Sequence, residues 1–262
     1  MRFSVLASGS SGNACYIETA HAKILIDAGL SGREIIKRLE LIDVRPDGLD
    51  ALFITHEHMD HIKGAGPLAR RLDIPVFSNN RTLKRGMKIM GNLHRPIPVQ
   101  TGQAITIKDL QVETFTKCHD AVDPMGLIIS SDGISLGLIT DLGRSTVLVE
   151  DRLKRCNALM IEFNHDQKML EEGPYPLDLK RRIRGPEGHL SNQQAGELLE
   201  AIGHGNLNVV VLAHLSKINN LADLAFREAS QVLERSGLDQ ARIVMSHQDH
   251  PTEFIDLYDH LT

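Results

Sequence analysis

The sequence predicts an α/β fold in which two sheets are flanked by helices, within one domain spanning residues 1–262. Three observations predict it. β-type runs cluster in both halves of the chain, and helical patterns are interleaved with them. No repeat, low-complexity segment or linker-like shift in composition divides the chain, although its length alone would allow one large domain or two small ones. An apolar fraction of 42% and a charged fraction of 24% supply an ordinary core and surface.

Phe3–Leu6, Cys15–Glu18 and Lys23–Ile26 read as strands, with the turn "SGSSGN" between the first two. That turn is too far from any helix start to serve as a phosphate loop, because "ACYIET" after it is strand-like. Ser31 and Glu34 form a capping box that opens a helix with Ile35, Ile36 and Leu39 on one face. "LDALFIT" reads as a buried strand. A helix over 63–72, a strand at 76–78 and a basic helix over 83–89 follow. Residues 104–116, 126–131 and 134–140 are β-rich. The rest alternates between helices at 146–154, 178–184, 191–203 (boxed by Ser191 and Gln194) and 221–235, and strands at 158–162, 208–213 and 241–245. Gly237 closes the last helix.

A net charge of −5 excludes gross basicity as the route to nucleic acid, but leaves local patches open. Cys15, Cys118 and Cys156, odd in number and widely spaced, form neither a disulfide framework nor a zinc ribbon. They read as reduced thiols, with Cys118 beside His119 as a minor ligand option. The apolar start is too short for a signal peptide and no run approaches spanning length, so the expectation is a cytoplasmic protein with no membrane partner.

The chemistry concentrates in "LFITHEHMDHIKG". Its closest helical relative, His-Glu-x-x-His, fails because position 60 is Asp60. At the end of a strand, residues two apart point the same way, so His56 and His58 can grip one cation together. If the chain then turns into a helix, Asp60 and His61 swing toward a second. Imidazole and carboxylate are ligands for zinc, manganese or iron. A polar loop with chance histidines is the alternative, and three histidines plus an aspartate in six positions argue against it. Two ions need further ligands, and predicted strands supply them: His119 after "LQVETFTKC", Asp141 after "ISLGLIT", positioned to bridge, and His214 after "NVVVLA".

"THEHMDH" with His119, Asp141 and "LAHLS" resembles the metallo-β-lactamase superfamily. Within it, "GSSGNACYIE", "CHDAVDPMG", "IEFNHD", "GHLSN" and "LAHLSKINN" are similar to the WalJ/YycJ branch of nuclease-like proteins over nearly the whole chain. The resemblance implies an αββα four-layer sandwich with a dinuclear site at one edge. It implies that His56, His58 and His119 hold the first ion, that Asp60, His61 and His214 hold the second, and that Asp141 bridges them. It also implies exonuclease action on DNA from the 5′ end.

His189 in "GHLSN" is expected, by resemblance to transfer-RNA-processing members, to assist at the leaving group; capping or ligand support is its alternative. His165 and Asp166 follow another strand end and could orient a ligand, contact phosphate or hold a further ion, while Glu162 could orient a histidine. His21, His94, His204, His247, His250 and His260 lack such context and read as surface or structural. Asp120 could support a ligand, although a turn residue before "VDPMG" is its first reading. "KRRIR" (180–184) runs into the His189 segment and could line an approach for a polyanion. Arg81, Lys84, Arg85 and Lys88 read as a solvated helix face. Few aromatics, 4% with no Trp, argue against a base-stacking platform for sequence-blind binding of single strands.

The expected function is therefore a two-metal phosphodiester hydrolase, a DNA exonuclease. Asp60 would fix an ion and share the nucleophile's proton, and His189 or His165 would protonate the leaving oxygen. One alternative is a hydrolase of a thioester, lactone or cyclic phosphodiester. Another is a metal-bound regulatory module without turnover, for which a missing ligand would be the mark, and none is missing.

Overall fold

The computed structural model describes residues 1–258, so His260 lies outside the described residues. The first half forms β1 (Arg2–Ala7), β2 (Ala14–Glu18), β3 (Lys23–Ile26), α1 (Gly32–Leu41), β4 (Ala51–Phe53), the single turn α2 (Met59–Ile62), α3 (Ala65–Leu72), β5 (Val76–Asn79), α4 (Asn80–Met90) and β6 (Pro96–Val99). The second forms β7 (Ala104–Ile107), β8 (Leu110–Thr116), β9 (Met125–Ser131), β10 (Ile134–Ile139), α5 (Val147–Leu153), β11 (Ala158–Glu162), α6 (Gln167–Glu172), α7 (Leu177–Arg184), α8 (Asn192–Ile202), β12 (Val209–Ala213), α9 (Ala222–Arg235), β13 (Arg242–Met245) and β14 (Ile255–Asp256).

Two seven-stranded mixed sheets result, in the orders β14-β1-β2-β3-β4-β5-β6 and β13-β12-β11-β10-β9-β8-β7. Period-two alternation decides which faces meet. In β11, Ala158 and Met160 join Val209 and Val211 of β12 and Ile24, Ile26 and Phe53 of the other sheet between the two layers. Leu159, Ile161, Val210 and Leu212 face outward onto α5, α8 and α9. Leu25 and Leu52 turn their backs to that core and pack under α1 and α3. The layers are thus helix, sheet, sheet, helix, the αββα sandwich that the sequence leads one to expect. Fully burying one such aliphatic side chain contributes about 1.5–3 kcal/mol, which is why both faces of each sheet are covered. No helix among the described residues is long and apolar enough to cross a membrane.

This topology fixes where functional residues emerge. β3 and β4 run parallel, as do β10, β11 and β12. β8 is antiparallel to β9, which is antiparallel to β10, so β8 and β10 also share a direction. The residues following β3, β4, β8, β10, β11 and β12 therefore gather along one rim of the sandwich.

Several elements depart from the sequence expectation for local reasons. Ser31 caps α1 through Glu34 N, but the Glu34 carboxylate pairs with Arg38 at 3.0 Å instead of returning to the cap. At Ser191 and Gln194 both halves of the box form. The β-rich 104–116 run folds into a hairpin at Lys108, whose φ is +56°. β6 ("PIPV") escapes sequence reading because its two prolines disguise an edge strand, where a missing N–H costs no ladder bond. α6 and β14 are too short for periodicity to show.

Candidate metal centre

The dense loop leaves β4 and is laced to the loop after β3. Asn13 N donates to Asp60 O (2.8 Å), Ala28 N to His61 O (2.7 Å) and Gly64 N to Ala28 O (2.7 Å). Gly29 is required in this lacing, since a Cβ there would lie 1.6 Å from Asp60 O. His58 then begins α2, which turns Asp60 and His61 back toward the rim.

Three rim residues take up left-handed backbone: Asp27 (φ +58°), Asp141 (+55°) and His214 (+57°). Each costs on the order of 1 kcal/mol, although Asp and His tolerate this region better than most. Each stands at or just beyond the end of its strand, where the turn redirects the side chain across the rim.

Two groups of ligand atoms come together, each within 4.8 Å: His56, His58 and His119, and Asp60, His61, Asp141 and His214. The groups adjoin. Asp141 Oδ1 lies 3.9 Å from His119 Nε2, and the rings of His56 and His61 are 4.0 Å apart. All seven residues expected at the metal site from sequence are thus drawn into one place.

The imidazoles are fixed from behind. His119 Nδ1 faces Gly188 O at 3.1 Å, His56 Nδ1 meets Thr55 Oγ1 at 3.0 Å, His61 Nδ1 meets Asp27 Oδ2 at 2.7 Å, and His214 Nδ1 meets Glu162 Oε1 at 2.9 Å. Such partners set the tautomer and leave Nε2 for a ligand. His56 Nε2, His214 Nε2 and Asp141 Oδ2 are buried and have no hydrogen-bond partner among the described residues. Leaving buried polar atoms unpaired costs about 1–3 kcal/mol each, a cost that a shared cation would remove. The donor set of imidazole and carboxylate suits a divalent metal such as zinc.

Electrostatics divide the two groups. Burial, with His61 and Lys117 nearby, holds His56 well below its usual value, and burial lowers His119 to about 4, so both are neutral and ready to ligate. Burial also opposes charge on His61, but Asp141, Asp27 and Asp60 outweigh it and push the ring to about 10. His214 is raised in the same way against its burial by Asp141, Asp60 and Glu162. Protons on His61 and His214 and a divalent cation are alternative ways to balance Asp60 and Asp141, so ion binding there releases protons.

His189 Nδ1 sits 2.7 Å from Glu162 Oε1, beside the second group. Glu162 also accepts from Leu142 N and Leu190 N at Oε2. Asp141, Glu162, His189 and His214 meet the spacing for a cation. However, with two imidazole and two backbone donors the lone pairs of Glu162 are filled, and it acts as an orienting carboxylate. Burial works against its charge, yet His189 and His214 hold it down at about 2.

His165 lies outside both groups. It is 1% exposed, its Nδ1 faces Asn164 Oδ1 at 3.3 Å, and burial lowers it to about 4. Asp120 is more than a turn residue: its carbonyl faces His58 Nε2 at 3.2 Å and its carboxylate pairs with Arg182 of "KRRIR". Cys118 joins no ligand group among the described residues. His247 and His250 stack on each other at 4.2 Å and stand apart from both groups.

Three residues at the rim escape sequence reading. Asp27 accepts from Thr55 N, Thr55 Oγ1 and His61 Nδ1, and the strand-end logic that points to Asp141 applies equally to it in "LIDAG". Lys117 is 4% exposed and donates to Thr140 O beneath Asp141; its signal is a lysine at a buried position in the alternation of β8, two after Phe115. Asn13, hidden in the Gly-rich turn, reaches Asp60 Oδ2 at 3.2 Å and His61 Nε2 at 3.0 Å.

Comparison with known proteins places this arrangement. Residues 22–215 match the family model described as "Beta-lactamase superfamily domain". Exodeoxyribonuclease YycJ of Bacillus anthracis is 37% identical over 253 residues, covering 96% of both chains. Exodeoxyribonuclease WalJ of Streptococcus pneumoniae is 38% identical over 228 residues, covering 86% of this chain and 85% of that one. Among solved structures, the metallo-beta-lactamase fold protein YhfI of Bacillus subtilis superposes with a TM-score of 0.72 at 17% identity, covering 96% of this chain and 99% of that one, a likeness of fold.

Proposed function

This chain belongs to the beta-lactamase superfamily, and from that premise we propose that it is a metal-dependent phosphodiester hydrolase, a DNA exonuclease working from the 5′ end with two ions in the cytoplasm. One observation carries the reading. Seven ligand-type residues from four strand ends meet on one rim, and three of their buried atoms have no hydrogen-bond partner among the described residues. The relatives named exodeoxyribonuclease support DNA as the substrate.

His56, His58 and His119 would hold one ion, Asp60, His61 and His214 the other, and Asp141 both. Two divalent ions, zinc or manganese, would supply when bound Lewis acidity toward a phosphoryl oxygen and a more acidic water. The residues do the rest. Asp141 supports both halves because it reaches His61 Nε2 at 3.2 Å, His214 Nδ1 at 3.5 Å and His119 Nε2 at 3.9 Å. Asp60, 24% exposed in its side chain, is placed to take up the proton of the attacking water. His189, 22% exposed in its side chain, is held at Nδ1 by Glu162, which leaves its Nε2 to serve the departing oxygen. His165 is neutral and buried, which leaves His189 as the proton donor to the departing oxygen.

DNA labelled at either end tests this. Stepwise loss of mononucleotides from the 5′ end, dependent on added manganese or zinc, is expected. Rapid turnover of a lactone or thioester with DNA left intact would overturn it.

A further inference from the structure

Beside the metal centre lies a cavity of about 160 Å³ that the hydrolytic reaction above does not use. Tyr175, Leu179 and Ile183, on α7 and its approach, give it apolar surface; Asn164 and Ser216, from the loops after β11 and β12, give it polar groups. His189 lines the cavity and also belongs to the group containing Asp141, Glu162 and His214, so the cavity and the centre share a wall.

We propose that this cavity receives the 5′-terminal nucleoside of a DNA strand, one at a time, on the leaving-group side of the scissile phosphate; this rests on the hydrolase reading above.

Size sets the occupant. One water-sized group needs roughly 10–15 Å³ of such space, so the cavity takes a base with part of its sugar and less than half of a dinucleotide. Its chemistry is that of a base site. Tyr175 offers a face for stacking, and Leu179 and Ile183 offer apolar contact. Ser216 Oγ already accepts from Asn219 N at 3.1 Å and Ile218 N at 3.4 Å, which leaves its hydroxyl hydrogen to donate to a base carbonyl. Asn164 is held by His214 O at 3.0 Å, so its amide is fixed before any ligand arrives. A single aromatic in a half-open recess differs from an extended stacking platform, and fits a chain with few aromatics. Arg182, 61% exposed and anchored on Asp120, also lines the cavity and keeps guanidinium donors for a phosphate of the strand.

Direction follows from the shared wall. The water oxygen bonds to phosphorus as the P–O3′ bond breaks. The electron pair stays on O3′, which takes the proton from His189 Nε2, and the water's proton goes to Asp60. A nucleoside in the cavity therefore attaches to the scissile phosphate through its 3′ oxygen, because His189 stands where that oxygen departs. It leaves with a free 3′-hydroxyl, and the shortened strand keeps a 5′-phosphate for the next cycle.

The probes are thymidine 3′-monophosphate, thymidine 5′-monophosphate and inorganic phosphate, titrated calorimetrically into the full chain loaded with manganese. The 3′ isomer alone can put its base in the cavity and its phosphate on the centre. It is expected to bind about tenfold or more tightly than either other probe, the worth of one stacked base. Leu179→Trp, which fills the cavity, is expected to remove that preference while inorganic phosphate binds as before. Equal affinity for the isomers, preference for the 5′ isomer, or a preference that survives Leu179→Trp would overturn the proposal. A chain that shows the preference but cuts no DNA would defeat the hydrolase reading and keep the nucleotide site; one that cuts DNA without the preference would do the reverse.

Discussion

Asp141→Asn is expected to lower the turnover of DNA by about 10³-fold or more, a loss of roughly 4 kcal/mol of transition-state stabilisation. Asparagine keeps the size of the side chain and tolerates the left-handed backbone at φ +55°, so the strand end should keep its shape. What disappears is the charge between the two ligand groups. The Asp141 carboxylate is held well below its ordinary pKa: burial works against its charge, but His214, His61 and Lys117 outweigh it. Without it the histidines of the second group lose the anion that balances a cation, and the first group loses its link to the second. Circular dichroism of the variant should match the parent, while steady-state kinetics show the loss in kcat. Near-parental turnover would remove Asp141 from the account.

Glu162→Gln should cost about 10²–10⁴-fold, because one side chain sets two functions. Its carboxylate accepts four N–H groups, from His189, His214, Leu142 and Leu190. An amide cannot do the same: its NH₂ must face either the two imidazoles or the two backbone donors, leaving one pair unmatched. Loss of the charge also weakens the hold on the His189 ring that serves the departing oxygen. The leaving group separates this from a simple folding defect. A p-nitrophenyl ester of thymidine 5′-phosphate releases a group that needs no proton, so the variant should lose far less rate there than on DNA. An equal loss on both substrates would mean that Glu162 only supports the fold.

Much of this was legible in sequence, for definite physical reasons. Strand ends announce themselves by an apolar run that stops at one polar residue, which is how His119, Asp141 and His214 stand out although they come together only in the folded chain. "THEHMDH" works the same way, with the added density of four ligand-type side chains. Layering was legible too, because alternation such as Leu136, Gly137, Leu138 dictates faces. Sequence could not weigh residues that act through others. Asp27 ends β3 as plainly as Asp141 follows β10, but its role appears only once β3 and β4 pair and bring it to Thr55 and His61. Lys117 follows β8 with only its place in the alternation to mark it, and its burial in the folded chain sets it apart. Conversely, His165 reads as an equal of His189, and only burial separates them. The partnership of Asp120 with Arg182 spans 62 positions and leaves no local mark.

The account stands or falls on paired ions held by seven side chains. Elemental analysis of the purified full chain, with calorimetric titration after chelation, measures this directly. Two divalent ions per chain are predicted, with proton release on binding from His61 and His214 and with DNA hydrolysis lost on chelation and restored by manganese or zinc. One ion per chain at saturation, or hydrolysis that survives complete removal of metal, would contradict it.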